Sequence, residues 1–324
     1  MQSNPAGVPA RESWFAFHSI SAQDRSFMAA FRAVVEPNKG RLRGIAARAP
    51  FDAIIGGISA PEAVKFREDR IGDVHGWWCK PADALPGAAM LHLHGGWFNL
   101  GSAAAYRNLV GHIARSAGAA AFVPDYRLAP EHPFPAAIED AHASFRGLAE
   151  RGIRRIAVTG DSAGGNLALS LLSILAAEPA GAVRPVGSLA LSPITDLALS
   201  GSSWQTRAEA DPYFVKEQAQ GLIDAYLNGH DATDPVASPL YGNLAGIPPI
   251  RVQAGNDEVL LDDSVRLVER AVAARVDARL DVWEGMPHGF VGSIGQTEAA
   301  ASALSLLGEF LSSALAPGSA KHQP

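Results

Sequence analysis

Apolar residues along this chain follow two rhythms, and the change between them falls near residue 64. Before it, residues 22–35 (AQDRSFMAAFRAVV) carry apolar positions at helical spacing, with Ser21 placed to cap the first turn. This helix comes well before the first strand signal and is expected to lie outside the central sheet. Beyond residue 64, short apolar runs predict strands over 64–69, 73–79, 88–93, 119–123, 154–159, 186–191, 249–254 and 279–284. The first two are joined by a turn at Gly72-Asp73. Longer periodic stretches between the others predict helices over 104–117, 135–150, 162–177, 264–275 and 297–314. Strands alternating with helices make a mostly parallel sheet covered on both faces, an α/β fold.

Residues 192–247 interrupt this alternation. They are rich in Asp, Pro and Gly, with one helical segment near 215–227. So long an insertion between two strands is usually functional. The expected organisation is a catalytic core over 51–191 and 248–316, a small helical cap from residues 1–50 and 192–247, and a loose tail over 317–324.

The predicted strand at 154–159 runs into Gly160-Asp161-Ser162-Ala163-Gly164, a G-x-S-x-G sequence, and then into a nearly all-apolar helix. This pattern sets a serine on a sharp strand-to-helix turn with its hydroxyl exposed, the nucleophile position of the α/β-hydrolase fold. The glycines are there because neighbouring backbone crowds the turn. A second glycine pair follows the strand at 88–93, in His94-Gly95-Gly96-Trp97. In this fold a loop after that strand offers backbone N–H groups to the oxyanion, together with the residue after the serine. Gly95, Gly96, Trp97 and Ala163 are the candidates, with Gly96, Trp97 and Ala163 favoured as donors. Trp97 and Asp161 are expected to touch substrate, and Trp97 to adopt a negative φ as a bulky residue should. His94 is read as a structural ring that ties the loop down. His92 and His94 share one side of a strand, but no third ligand stands near them in sequence, which argues against a metal.

These stretches, with DYRLAPEHPFPA at 125–136, NDEVLLDD at 256–263 and MPHGF at 286–290, resemble the hormone-sensitive-lipase-like esterases in five motifs taken in order. The resemblance runs from about residue 20 to 312. It implies an α/β-hydrolase fold, hydrolysis of short- to medium-chain carboxylic esters, a cap built from the N-terminus and an insertion, and no cofactor. Where that family usually has a third glycine after the histidine, this chain has Trp97.

A serine hydroxyl needs a base, and the base an acid; in this fold the chain order is Ser, Asp or Glu, then His. After Ser162 the histidines are His230, in a polar turn, His322, in the tail, and His288, just past a predicted strand. His288 is the base. Asp257, at the end of the strand at 249–254, is the preferred acid, with Asp196 as its rival. Glu258 is adjacent to Asp257 and expected to face another way. Tyr126 and Arg127 are expected to brace the site from below.

Composition narrows the setting. A net charge of −6 with no basic run disfavours nucleic acid and anionic membranes as partners. The single cysteine, Cys79, rules out an internal disulfide and suits a cytoplasmic setting. No basic-then-apolar leader or bilayer-length apolar run is present. A homodimer is expected through the strand at 279–284, taken as the exposed sheet edge. The reading is thus a cofactor-free serine hydrolase for a small-molecule ester. Lactone or amide hydrolysis on the same groups is an alternative. A non-catalytic receptor on this fold is a remoter one, which the presence of His288 disfavours.

Overall fold

A computed structural model describes residues 13–179 and 181–318; the first twelve residues of the expected cap and most of the expected loose tail lie outside it. Among the described residues nine strands form one sheet. They are β1 (Phe15–His18), β2 (Val64–Ile71), β3 (Val74–Pro81), β4 (Ala88–Leu93), β5 (Ala120–Pro124), β6 (Arg155–Asp161), β7 (Pro185–Leu191), β8 (Ile250–Gly255) and β9 (Ala278–Trp283). Their order is β1-β9-β8-β7-β6-β4-β5-β3-β2. Every neighbouring pair from β1 to β5 is parallel, and the β5–β3 and β3–β2 pairs are antiparallel. This is the α/β-hydrolase arrangement.

Alternation along the central strands divides the core into two layers. In β4, Leu91 and Leu93 enter one layer and Met90 the other; in β6, Ile156 and Val158 oppose Ala157. Helices α4 (Ala136–Glu150), α5 (Ala163–Ala176) and α8 (Leu261–Ala273) cover the first face. Helices α3 (Ala103–Ala117) and α9 (Glu298–Leu315) cover the second. Their starts follow from local chemistry: Ser102 accepts the N–H of Ala105 at 3.2 Å and Thr297 that of Ala300 at 3.2 Å, each satisfying an otherwise unpaired first-turn donor. No helix among the described residues is long and apolar enough to cross a membrane.

Two differences from the sequence reading concern the N-terminus. Phe15–His18, expected in the cap, is a strand, and it pairs in parallel with β9 through Phe15–Leu280 to His18–Trp283. Four residues are too few to announce a strand by alternation. Because β1 covers β9, the edge on which the expected homodimer rested is already paired. The predicted helix α1 (Ala22–Val35) starts as expected, with Ser21 accepting the N–H of Asp24 at 3.1 Å. A second helix follows at α2 (Arg48–Gly56).

The stretch after α1 is laced to the insertion. Gly40 N–H donates to the carbonyl of Tyr213 at 2.8 Å, and Gln218 Nε2 donates to that of Leu42 at 2.8 Å. Within the insertion lie α6 (Ser203–Thr206) and α7 (Lys216–Leu227), the latter matching the helical segment read from sequence.

Candidate active site

β6 ends at Asp161 and α5 begins at Ala163, so Ser162 alone turns the chain from strand to helix. It sits at φ 54° and ψ −119°, a conformation that costs a non-glycine residue about 1–3 kcal/mol. The turn is held because backbone packs against backbone. A Cβ on Gly160 would stand 2.2 Å from the carbonyl oxygen of Gly164, and one on Gly164 would stand 1.9 Å from that of Leu93. Ser162 N–H donates to the carbonyl of Leu191 at 2.8 Å, fastening the elbow to β7. Behind it, α5 is buried without a break from Ala163 to Leu172.

The loop after β4 folds over this turn and is held by Asp161. One oxygen of that carboxylate accepts the N–H of Gly95 at 3.0 Å and lies 3.3 Å from Nε2 of His92; the other accepts the hydroxyl of Tyr106 at 3.1 Å. A Cβ on Gly95 would meet the same carboxylate at 2.3 Å. Two expectations change here. Gly95 donates its N–H to Asp161, so that group is not free for an oxyanion. Asp161, expected at the substrate, is occupied in bracing the loop, since three donors already surround it. Among the described residues, the N–H groups of Gly96, Trp97 and Ala163 meet no protein acceptor. His94 behaves as a brace: Nδ1 donates to the carbonyl of Gly95 at 2.8 Å, and its ring stacks on Tyr126 at 4.2 Å. Burial holds it below the ordinary imidazole range, so it stays neutral. The Tyr126 hydroxyl donates to the carbonyl of His94 at 2.6 Å.

His288 lies in the loop after β9, with Nδ1 3.5 Å from Oε2 of Glu258. This is an ion-pair distance, looser than a good hydrogen bond, as catalytic contacts often are before substrate binds. Glu258 is wholly buried, and Ser192 donates its hydroxyl to the same oxygen at 2.7 Å. Burial pulls His288 down, but the Glu258 carboxylate, with Asp211 and Asp161 beyond it, outweighs that and leaves the imidazole above its ordinary value. Burial holds Glu258 above the usual carboxylate range, offset in part by His288 and Ser192.

Asp257, expected to hold His288, is turned away from it. Its Oδ2 accepts from Nη2 of Arg32 at 2.7 Å, on α1. Asp196 is also elsewhere: Arg266, Ser200 and Tyr241 surround its buried carboxylate. The acid opposite His288 is therefore Glu258. Sequence reasoning dismissed Glu258 and passed over Ser192. Nothing local distinguishes adjacent acids, whereas the claim of Arg32 on one of them settles their directions.

Residues 90–292 match the family model described as alpha/beta hydrolase fold. An "Acetyl-hydrolase" of Streptomyces hygroscopicus is 38% identical over 67% of this chain and 73% of its own length. An "Esterase" of Acinetobacter venetianus is 36% identical over 77% of this chain and 82% of its own. A crystal structure titled as an esterase from the bacterial hormone-sensitive lipase family superposes with a TM-score of 0.81, at 36% identity over 91% of this chain and 98% of that one. A crystal structure of EstE5 gives 0.84 at 33% identity, over 89% and 98%. This chain belongs to the hormone-sensitive-lipase-like esterases of the α/β-hydrolase superfamily.

Within that family's frame, the insertion adds an aromatic wall. Phe214 sets its ring edge-on to both His288, at 5.0 Å, and Trp97, at 5.1 Å, while Trp204 lies 6.5 Å from Trp97. The indole of Trp97 is almost fully buried. Its backbone departs from expectation, at φ +56°, with Phe98 following at +61°. The tight turn behind it imposes this: Gly96 carbonyl accepts from the N–H groups of Asn99 and Leu100 at 3.0 and 2.8 Å, and Asn99 Nδ2 donates to the carbonyl of Trp97 at 2.5 Å. A position that commonly holds glycine keeps glycine's conformation although it carries an indole.

Proposed function

We propose that this esterase hydrolyses short- to medium-chain carboxylic esters through Ser162, His288 and Glu258, by way of an acyl-enzyme. The observation that carries this reading is the buried His288–Glu258 pair, whose imidazole also feels the charge of Asp161 at the elbow, in a chain that presents an elbow serine and three unpartnered backbone donors. His288 Nε2 takes the proton of Ser162 as the hydroxyl oxygen attacks the ester carbonyl. Gly96, Trp97 and Ala163 N–H groups receive the oxyanion. Glu258 stabilises the imidazolium and fixes its tautomer. The imidazolium then protonates the leaving alcohol, and neutral His288 activates the water that releases the acid.

The N-terminal segment and residues 192–247 act as the cap, closing over the site through Phe214. The working substrate is a small soluble ester, met in the cytoplasm, which suits a chain with one buried cysteine. The test is Ser162→Ala assayed on p-nitrophenyl acetate and butyrate. Loss of a triad nucleophile costs on the order of 10⁶ in turnover, so activity within tenfold of wild type would overturn the assignment. A parallel panel of lactones and anilides distinguishes ester preference from the other acyl transfers open to the same groups.

A further inference from the structure

Asp211 lies in the insertion and has no part in the mechanism above, yet it is completely buried. Its Oδ1 accepts the N–H groups of Tyr213 and Phe214 at 2.8 and 3.0 Å, the turn that an Asp-Pro start favours. Its Oδ2 reaches across to the catalytic core and accepts the N–H of Val259 at 2.9 Å. Val259 directly follows Glu258, and Phe214 packs on His288. One carboxylate thus joins the residue next to the acid with the residue that touches the base. A buried carboxylate is costly unless its oxygens are satisfied. Oδ1 is satisfied within the insertion, but Oδ2 is satisfied only when the insertion and the Glu258 loop are docked together.

We propose that Asp211 is a positioning residue that couples the cap to the catalytic groups, holding the Glu258 loop and the Phe214 ring in one arrangement around His288. The inference rests on the esterase reading. Its charge also favours the protonated imidazole. The other charged groups facing His288 are Glu258 from the loop after β8 and Asp161 from the end of β6, with the Arg32–Asp257 pair beside the Glu258 loop.

The test compares pH profiles of kcat/KM on p-nitrophenyl acetate for wild type, Asp211→Asn and Asp211→Glu. Asparagine keeps one acceptor but turns an N–H₂ on the remaining amide. Asp211→Asn should lower kcat by about tenfold to a hundredfold, as misplaced catalytic groups do, with KM changed less than about threefold. Its acid limb should move to lower pH, for loss of one nearby negative charge. Asp211→Glu should lower kcat as well, because the longer arm misplaces the amides, but leave the acid limb in place because the charge remains. If folded Asp211→Asn loses thermal stability alone, with kcat and acid limb unchanged, the coupling is refuted. Should Asp211→Asn fail to fold by circular dichroism, Phe214→Leu takes its place. Lowered kcat with an unmoved acid limb supports the coupling, and wild-type kcat refutes it. Failure of the esterase reading itself is distinct, since it would appear as an inactive wild type or an active Ser162→Ala.

Discussion

Nδ1 of His288 stands 3.5 Å from Oε2 of Glu258, and that carboxylate has no exposure to solvent. A negative charge so placed pulls on the imidazolium without competition from water, and Ser192 keeps it in place at 2.7 Å.

Glu258→Gln should therefore be far more damaging than Asp257→Asn. Removing the orienting acid costs about 10⁴ in turnover in the well-studied triad, and a loss of 10²–10⁴ is expected here. Asp257 makes a partly exposed ion pair with Arg32, of a kind worth about 1 kcal/mol or less. Its asparagine variant should stay within tenfold of wild type. Steady-state kinetics on p-nitrophenyl acetate decide it, and a crippled Asp257→Asn beside an active Glu258→Gln would return the acid to Asp257.

The pH profile carries a second expectation. In the proposed mechanism only neutral His288 can accept the serine proton, so activity should fall as pH falls through the pKa of the folded enzyme. That pKa is raised, so the midpoint of the acid limb should lie above 6.5. Glu258→Gln removes the main upward influence and leaves burial opposed only by the more distant Asp211 and Asp161, so the residual activity of that variant should persist to lower pH. Profiles of kcat/KM between pH 5 and 9 test both statements; a wild-type midpoint below 6 would contradict the first.

Trp97→Gly should widen the range of accepted esters at a cost in stability. Glycine relieves the positive φ, worth about 1–3 kcal/mol, but emptying the indole's space costs about 3–5 kcal/mol, so a net loss of about 2 kcal/mol is expected. The backbone N–H survives, and one oxyanion donor is worth about 10²–10³. Acetyl ester turnover should accordingly stay within about tenfold, while relative activity on longer acyl chains or bulkier alcohols rises. A hundredfold loss on acetyl esters in a folded variant would mean that the indole positions the substrate. Thermal melts with an acyl-chain series supply both readouts.

Much of this molecule was legible from local pattern. The eight strands from Val64 onward and the helices between them follow from apolar runs and periodic faces, because each element buries a face whose spacing its own residues set. Ser162 and His288 stood out for similar reasons: the elbow needs glycines at fixed offsets, and the base must follow a late strand. What only the tertiary structure decided lies between segments distant in the chain. Arg32 turns Asp257 outward from 225 residues away, which leaves Glu258 to face His288. β1 closes the edge of β9 across a similar span, and Asp161 takes the N–H of Gly95 from the oxyanion. Adjacent carboxylates and adjacent amides are chemically alike along a sequence. Their roles diverge only when a partner brought close by folding satisfies one and leaves the other free.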